Sequence, residues 1–142
     1  LSSFGAEILR FRRAVDQIPA EGLSLIAIDE FAKGTNAGEG DKIVQAAVKY
    51  LNGKNAVSLL TTHYDSAAEF SRKHYQVKGL RMFDKKQSVE KRTIENETDA
   101  LNRIENAMDY GLIEVSPGMA CPQDAVRICR MLGIPQEMLD EI

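Results

Sequence analysis

The sequence is most informative at first for what it lacks. It has no tryptophan, two cysteines and two histidines in 142 residues. Cys121 and Cys129 stand apart with no histidine beside either, which excludes the close ligand pairs of a zinc site. They read as buried free thiols in a reducing, cytoplasmic compartment. No apolar run approaches the roughly 20 residues that a membrane-spanning helix needs, so no membrane partner is expected. The net charge of −3 sets 18 basic against 21 acidic side chains, which argues against a nucleic-acid surface on this stretch. The chain opens Leu1-Ser2-Ser3 without Met and without a basic-then-apolar leader. That opening is read as a cut inside a larger protein. There is no internal repeat and no low-complexity tract. Gly-x-x-x-x-Gly-Lys-Ser/Thr is also missing, and Gly53-Lys54 lies between Asn52 and Asn55. A phosphate cradle needs those glycines for close backbone approach and the Lys for the phosphate oxygens.

What is present suits one α/β domain: 44% hydrophobic and 27% charged residues. Phe4, Ile8, Phe11, Val15 and Ile18 recur at helical spacing and predict a helix over 4–18, with Ser2 and Ser3 at its cap and Pro19 with Gly22 at its end. Leu23 to Ile28 is a short apolar run closed by Asp29 and Glu30, and Ala56 to Thr62 is a second that ends at His63. Both suit strands buried on two faces, as in a parallel sheet. Between them a Gly-rich turn over 33–40 leads to a helix over 41–51, which Asn52-Gly53 stops. A short helix is predicted over 66–73. Strand–helix–strand with short loops is the rhythm of a parallel α/β fold. Beyond residue 75 the rhythm weakens. A strand is predicted over 76–83, a charged exposed stretch over 84–96, and a helix with Ala100, Leu101, Ile104 and Met108 inward. A further strand over 111–115, a helix over 121–132 and a final helical turn complete the reading.

Three features carry chemistry. The first is the acidic pair at the carboxyl end of an apolar strand. One carboxylate there can hold the Mg²⁺ shell while the next orients an attacking water, since ligands of open α/β sheets collect beyond the strand ends. Two acids that simply end a strand in solvent would read the same way. The second is His63 at the end of the next strand, a position that also suits a structural histidine. The third is Ser2-Ser3 at a helix start, where free N–H groups favour phosphate. A serine that only caps its own helix is the alternative.

The succession of these features resembles the second half of an ABC-type ATPase, and more narrowly the MutS family. Ser2-Ser3-Phe4-Gly5-Ala6-Glu7 is similar to the family's Ser-Thr-Phe-x-x-Glu signature. The string from Ile28 to Asn36 (Ile-Asp-Glu-Phe-Ala-Lys-Gly-Thr-Asn) is similar to Asp-Glu-Leu-Gly-Arg-Gly-Thr-Ser, and Thr61-Thr62-His63-Tyr64 matches as well. Ser116-Pro117-Gly118, a helix, then Gly133-Ile134-Pro135-Gln136-Glu137 look like the family's tail. The likeness covers 1–75 and 110–142. The charged stretch of about 84–103 looks longer than the usual hairpin there and is expected to be an exposed insert.

By resemblance the fold is α/β, a three-layer P-loop NTPase of ABC type. Only its C-terminal portion is present, with the phosphate-loop half lying before Leu1. Residues 1–142 would then hold the signature helix, the Walker B strand, the D-loop turn, the H-loop and the C-terminal helices. The implied cofactors are ATP and Mg²⁺. Asp29 would hold Mg²⁺ through water, Glu30 would be the catalytic base, and His63 would sense the γ-phosphate. Ser2 and Ser3 would cap the phosphate held by the opposite subunit of a homodimer or of a dimer with another MutS-like subunit. Gly34, Thr35 and Asn36 would lie near nucleotide at the dimer seam.

Ala32 and Lys33 replace the family's Gly-Arg, and Asn36 replaces Ser. The altered string looks more like a MutS-like branch found beside cobalamin-dependent lysine and ornithine aminomutases. Three functions are therefore weighed: an ATPase of DNA mismatch repair or related DNA processing, with DNA held by other domains; a chaperone-like ATPase acting on a metabolic enzyme; and a dimerisation module that no longer hydrolyses ATP.

Overall fold

A computed structural model describes residues 3–80, 97–116, 119 and 124–142. The chain divides into two units, 1–74 and 75–142.

In the first unit, helix α1 (Ser3–Asp16) leads into strand β1 (Ser24–Ile28), helix α2 (Ala37–Asn52), strand β2 (Ala56–Leu60) and a 3-10 helix (Asp65–Phe70). β1 and β2 pair in parallel, in a register that sets Ser24 opposite Ala56 and Ile28 opposite Leu60. This is the βαβ unit expected from the alternation of apolar runs and a helical stretch. β1 ends at Ile28 as its apolar run does, while β2 stops at Leu60, two residues short of its run. Thr61 still donates its N–H to the Ile28 carbonyl at 3.0 Å, so the chains stay in step as they leave the sheet. The core is formed by Phe31, Ala32, Val44, Ala47 and Ala67, with Phe4, Ile8, Phe11, Ile28 and Tyr64 packed against it. Phe4, Ile8 and Phe11 of the α1 stripe thus pack as their spacing predicts, but the helix ends at Asp16, so Ile18 falls outside it.

Several expectations need correction. β1 and β2 are not buried on both faces: Leu25 is 71% and Leu59 61% exposed, while Ile26, which follows Leu25 and faces the other side, is buried. Successive strand residues point to opposite faces. α1 and α2 supply apolar surface to one side, so the other side of the pair stays open among the described residues. α2 begins at Ala37, inside the stretch read as a Gly-rich turn, because Asn36 caps it through Oδ1 to the Glu39 N–H at 2.9 Å. The predicted helix over 66–73 is instead the shorter, tighter 3-10 turn.

In the second unit, strand β3 (Tyr75–Leu80) pairs antiparallel with strand β4 (Met108–Glu114). Helix α3 (Glu97–Ala107) runs directly into β4, so Met108 opens a strand rather than closing a helix. Ala100 and Ala107 are its buried positions, and Leu101, read as inward, is 57% exposed because it stands about 100° round the helix from Ala100. Helices α4 (Ala125–Met131) and α5 (Gln136–Leu139) follow, divided by Gly133 at φ 76°. Cys129 is a free thiol, half-buried rather than buried. Residues 81–96, 117–118 and 120–123 lie outside the described residues, and with them 84–96 of the charged stretch, part of the tail motif, and Cys121. Residues 97–103 of that stretch belong to α3.

Candidate active site at the strand ends

β1 and β2 release their chains side by side, and the parallel register brings Asp29, Glu30, Thr61 and His63 together. Thr61 joins the two strand ends: its hydroxyl donates to Asp29 Oδ1 at 2.5 Å and accepts the Glu30 N–H at 2.8 Å. Glu30 Oε1 lies 3.0 Å from His63 Nε2, and its Oε2 lies 2.8 Å from Lys33 Nζ. Lys33 first, and His63 after it, hold the Glu30 carboxyl below its ordinary value. Glu30 in turn pushes the Lys33 ammonium up. Glu30 is half-exposed, with His63 and Lys33 out in solvent around it. The carboxylate is therefore ionised, oriented on both oxygens and open to water.

The turn that follows is held from beneath. Phe31 is 1% exposed and stacks on Phe11 of α1, ring centroids 4.8 Å apart. Glu30 and Ala32 adopt left-handed backbone, at φ 49° and 64°. The Ala32 N–H donates to Glu7 Oε1 of α1 at 2.5 Å, and its carbonyl accepts from the Tyr64 hydroxyl at 3.3 Å. Two glycines make room here. A Cβ on Gly34 would lie 3.2 Å from the Phe4 backbone, and one on Gly40 would run into the Tyr64 ring and meet the Ala32 carbonyl at 3.0 Å. Gly34 thereby sets the turn directly against the start of α1.

Of the residues singled out by sequence, Asp29, Glu30 and His63 form one cluster, as expected. Gly34 lies beside Phe4, one residue from the exposed Ser3, and Ser2 lies outside the described residues. Thr35 and Asn36 bond to the first turn of α2: Thr35 Oγ1 lies 3.3 Å from Glu39 Oε2, and the Asn36 side chain is the helix cap. The motifs contain Glu7, Lys33 and Thr61, yet spacing assigns none of them a role. Thr61 could have been found from strand pairing alone, since a parallel partner for Ile28 at Leu60 puts Asp29 beside Thr61.

The model of MutS domain V matches residues 1–141. The chain belongs to the MutS domain V family. Among curated relatives it is 27% identical over 141 residues to the "Endonuclease MutS2" of Fusobacterium nucleatum, covering 99% of this chain and 15% of that protein. It is 33% identical over 119 residues to the "DNA mismatch repair protein MutS" of Aquifex pyrophilus, covering 83% of this chain and 12% of that protein. A "DNA mismatch repair protein MutS" of Leuconostoc mesenteroides is 24% identical over 139 residues, covering 97% and 14%. This MutS domain V chain thus spans about a seventh of the length of the relatives it matches.

Asp29 and Thr61 carry the hard oxygen atoms that Mg²⁺ prefers, but the described residues hold no group of three or more His, Cys, Asp or Glu side chains that could bind a metal by itself. The motif Gly-x-x-x-x-Gly-Lys-Ser/Thr does not occur in these 142 residues. No described helix is long and apolar enough to cross a membrane.

Proposed function

We propose that this MutS domain V chain supplies the water-activating side of an ATP site of P-loop NTPase type, in a protein of DNA mismatch repair or related DNA processing. The observation that carries this reading is Glu30, ionised beside Asp29 at the end of a parallel strand and 3.0 Å from His63 at the end of the next. Asp29 would hold Mg²⁺, most simply through water. Glu30, whose carboxylate is already aimed, would accept the proton of the attacking water. His63, hydrogen-bonded to Glu30, would register the γ-phosphate and report its loss. Bound Mg²⁺ would supply neutralisation of phosphate charge, and the cradle for ATP would come from sequence outside this chain. Ser2 and Ser3 at the α1 start would meet the nucleotide of a second subunit, with the Gly34-Thr35-Asn36 turn at the seam.

The test is single-turnover hydrolysis by the full-length protein. Glu30→Gln should bind ATP normally and hydrolyse it at least about a hundredfold more slowly. An unaltered rate would remove Glu30 from the chemistry and leave the chain as a dimerisation module. A second reading keeps the site and changes the target: Lys33 and Asn36, which depart from the family's Arg and Ser, resemble the branch beside cobalamin-dependent aminomutases. Stimulation of hydrolysis by duplex DNA supports the first reading, and stimulation by a partner enzyme alone supports the second.

A further inference from the structure

Glu30 can act as a base only if the chain that follows it keeps its unusual course. Glu30 and Ala32 are the two non-glycine residues with positive φ among those described. Side chains with a Cβ disfavour that backbone, and it persists only where the surroundings hold it. At Ala32 the holding groups are identifiable. The residue is fully buried, and both polar groups of its backbone are engaged by side chains from elsewhere, Glu7 on the N–H and Tyr64 on the carbonyl. Glu7 is an odd choice for packing alone. It is half-buried on α1 beside Phe4, Ile8 and Phe11, which pack into the core, and a carboxylate drawn into such surroundings loses hydration. An apolar residue would fill the space but leave the Ala32 N–H without its partner.

We propose that Glu7 is a positioning residue for hydrolysis: by accepting the Ala32 N–H from α1, its carboxylate fixes the left-handed turn that aims Glu30 at its water. The inference rests on the hydrolytic reading of the site. Glu7 touches neither nucleotide nor water in this assignment and acts only through Ala32.

The experiment compares Glu7→Gln, Glu7→Asp and Glu7→Ala in the full-length protein, with kcat and KM for ATP measured separately and Glu30→Gln in the same assay. Glu7→Gln keeps an oxygen acceptor at the same reach and should retain kcat to within about threefold. Glu7→Asp keeps the charge but withdraws the oxygen by one carbon. It should lower kcat by about ten- to a hundredfold, as Glu7→Ala should, with KM unmoved. Wild-type kcat in Glu7→Asp, a larger loss in Glu7→Gln than in Glu7→Asp, or an effect confined to KM would each overturn the proposal. If Glu7→Ala fails to fold, the ordering of Gln against Asp still decides, since both keep a polar side chain at this position. If Glu30→Gln hydrolyses at the wild-type rate, the reading of the whole site fails. If it is inactive while all three Glu7 variants match wild type, only the Glu7 assignment fails.

Discussion

Glu30 concentrates three separate constraints on one residue: its N–H is tied to Thr61, one carboxylate oxygen to Lys33 and the other to His63. Ion pairs this open to solvent add little to fold stability. What they change is the ionisation of the carboxyl. Its pKa is depressed below 4.5, first by Lys33 and then by His63. A depressed carboxylate favours the folded state above its ordinary pKa, and that contribution is lost as pH falls through the lowered value. Lys33→Ala should therefore move the Glu30 titration upward toward the ordinary carboxyl range, as read by carboxyl-carbon NMR on metal-free protein. A titration left in place would show that Lys33 does not hold the carboxylate. Next along the chain, Phe31 stacked on Phe11 explains why an aromatic residue follows the acidic pair: it anchors the turn in the core while Glu30 stays outside.

At the scale of elements, the register between β1 and β2 decides the site, and the start of α2 decides the turn. Parallel pairing of Ile28 with Leu60 places the two exits level, so a threonine hydroxyl can bridge them. A shift of one residue would turn Thr61 to the other face and break both of its bonds. Asn36 ends the turn by capping α2, with Gly40 N–H bonded to the Asn36 carbonyl at 2.8 Å. Asn36→Ala should cost about 1 kcal/mol of stability in denaturant titration, and Asn36→Asp should restore most of it. Equal stability in Asn36→Ala would mean that the cap contributes nothing. Helix α2 is otherwise well supplied, with Val44, Ala47 and Leu51 buried at steps of three and four.

At the scale of the whole molecule, this chain answers to only about a seventh of its relatives' length. Leu25, Val57 and Leu59, on neighbouring strands and the same side of the β1–β2 pair, are 71%, 49% and 61% exposed. A two-stranded sheet with an open apolar face is marginal in water, and its free edges can pair with other chains. The 142-residue chain on its own should therefore self-associate, and it should not bind MgATP at micromolar concentrations without a phosphate cradle. Sedimentation and calorimetry read the two properties separately. Leu25→Lys combined with Leu59→Lys should reduce association by burdening the face with charge. Micromolar MgATP binding by a monomer would mean that the phosphate site lies within these residues.

The sequence by itself determined the elements whose cause is local. The α1 stripe of Phe4, Ile8 and Phe11, the apolar runs of β1 and β2, and the acids and histidine closing those runs follow from periodicity and composition over a few residues. Those signals placed Asp29, Glu30 and His63 at strand ends before any coordinates. What spacing could not show was which groups meet across long separations. Thr61 reaches Glu30 over 31 residues and Glu7 reaches Ala32 over 25, and both meetings depend on strand register and on how α1 is rotated against the core. The same distinction separates the errors. Leu101 and the outer face of β1 and β2 are apolar by composition, and their exposure depends on what packs against them. A side chain's chemistry is local, but its partner is chosen by the tertiary structure. That is why Asp29, Glu30 and His63 were legible in the sequence and the contacts that hold them were not.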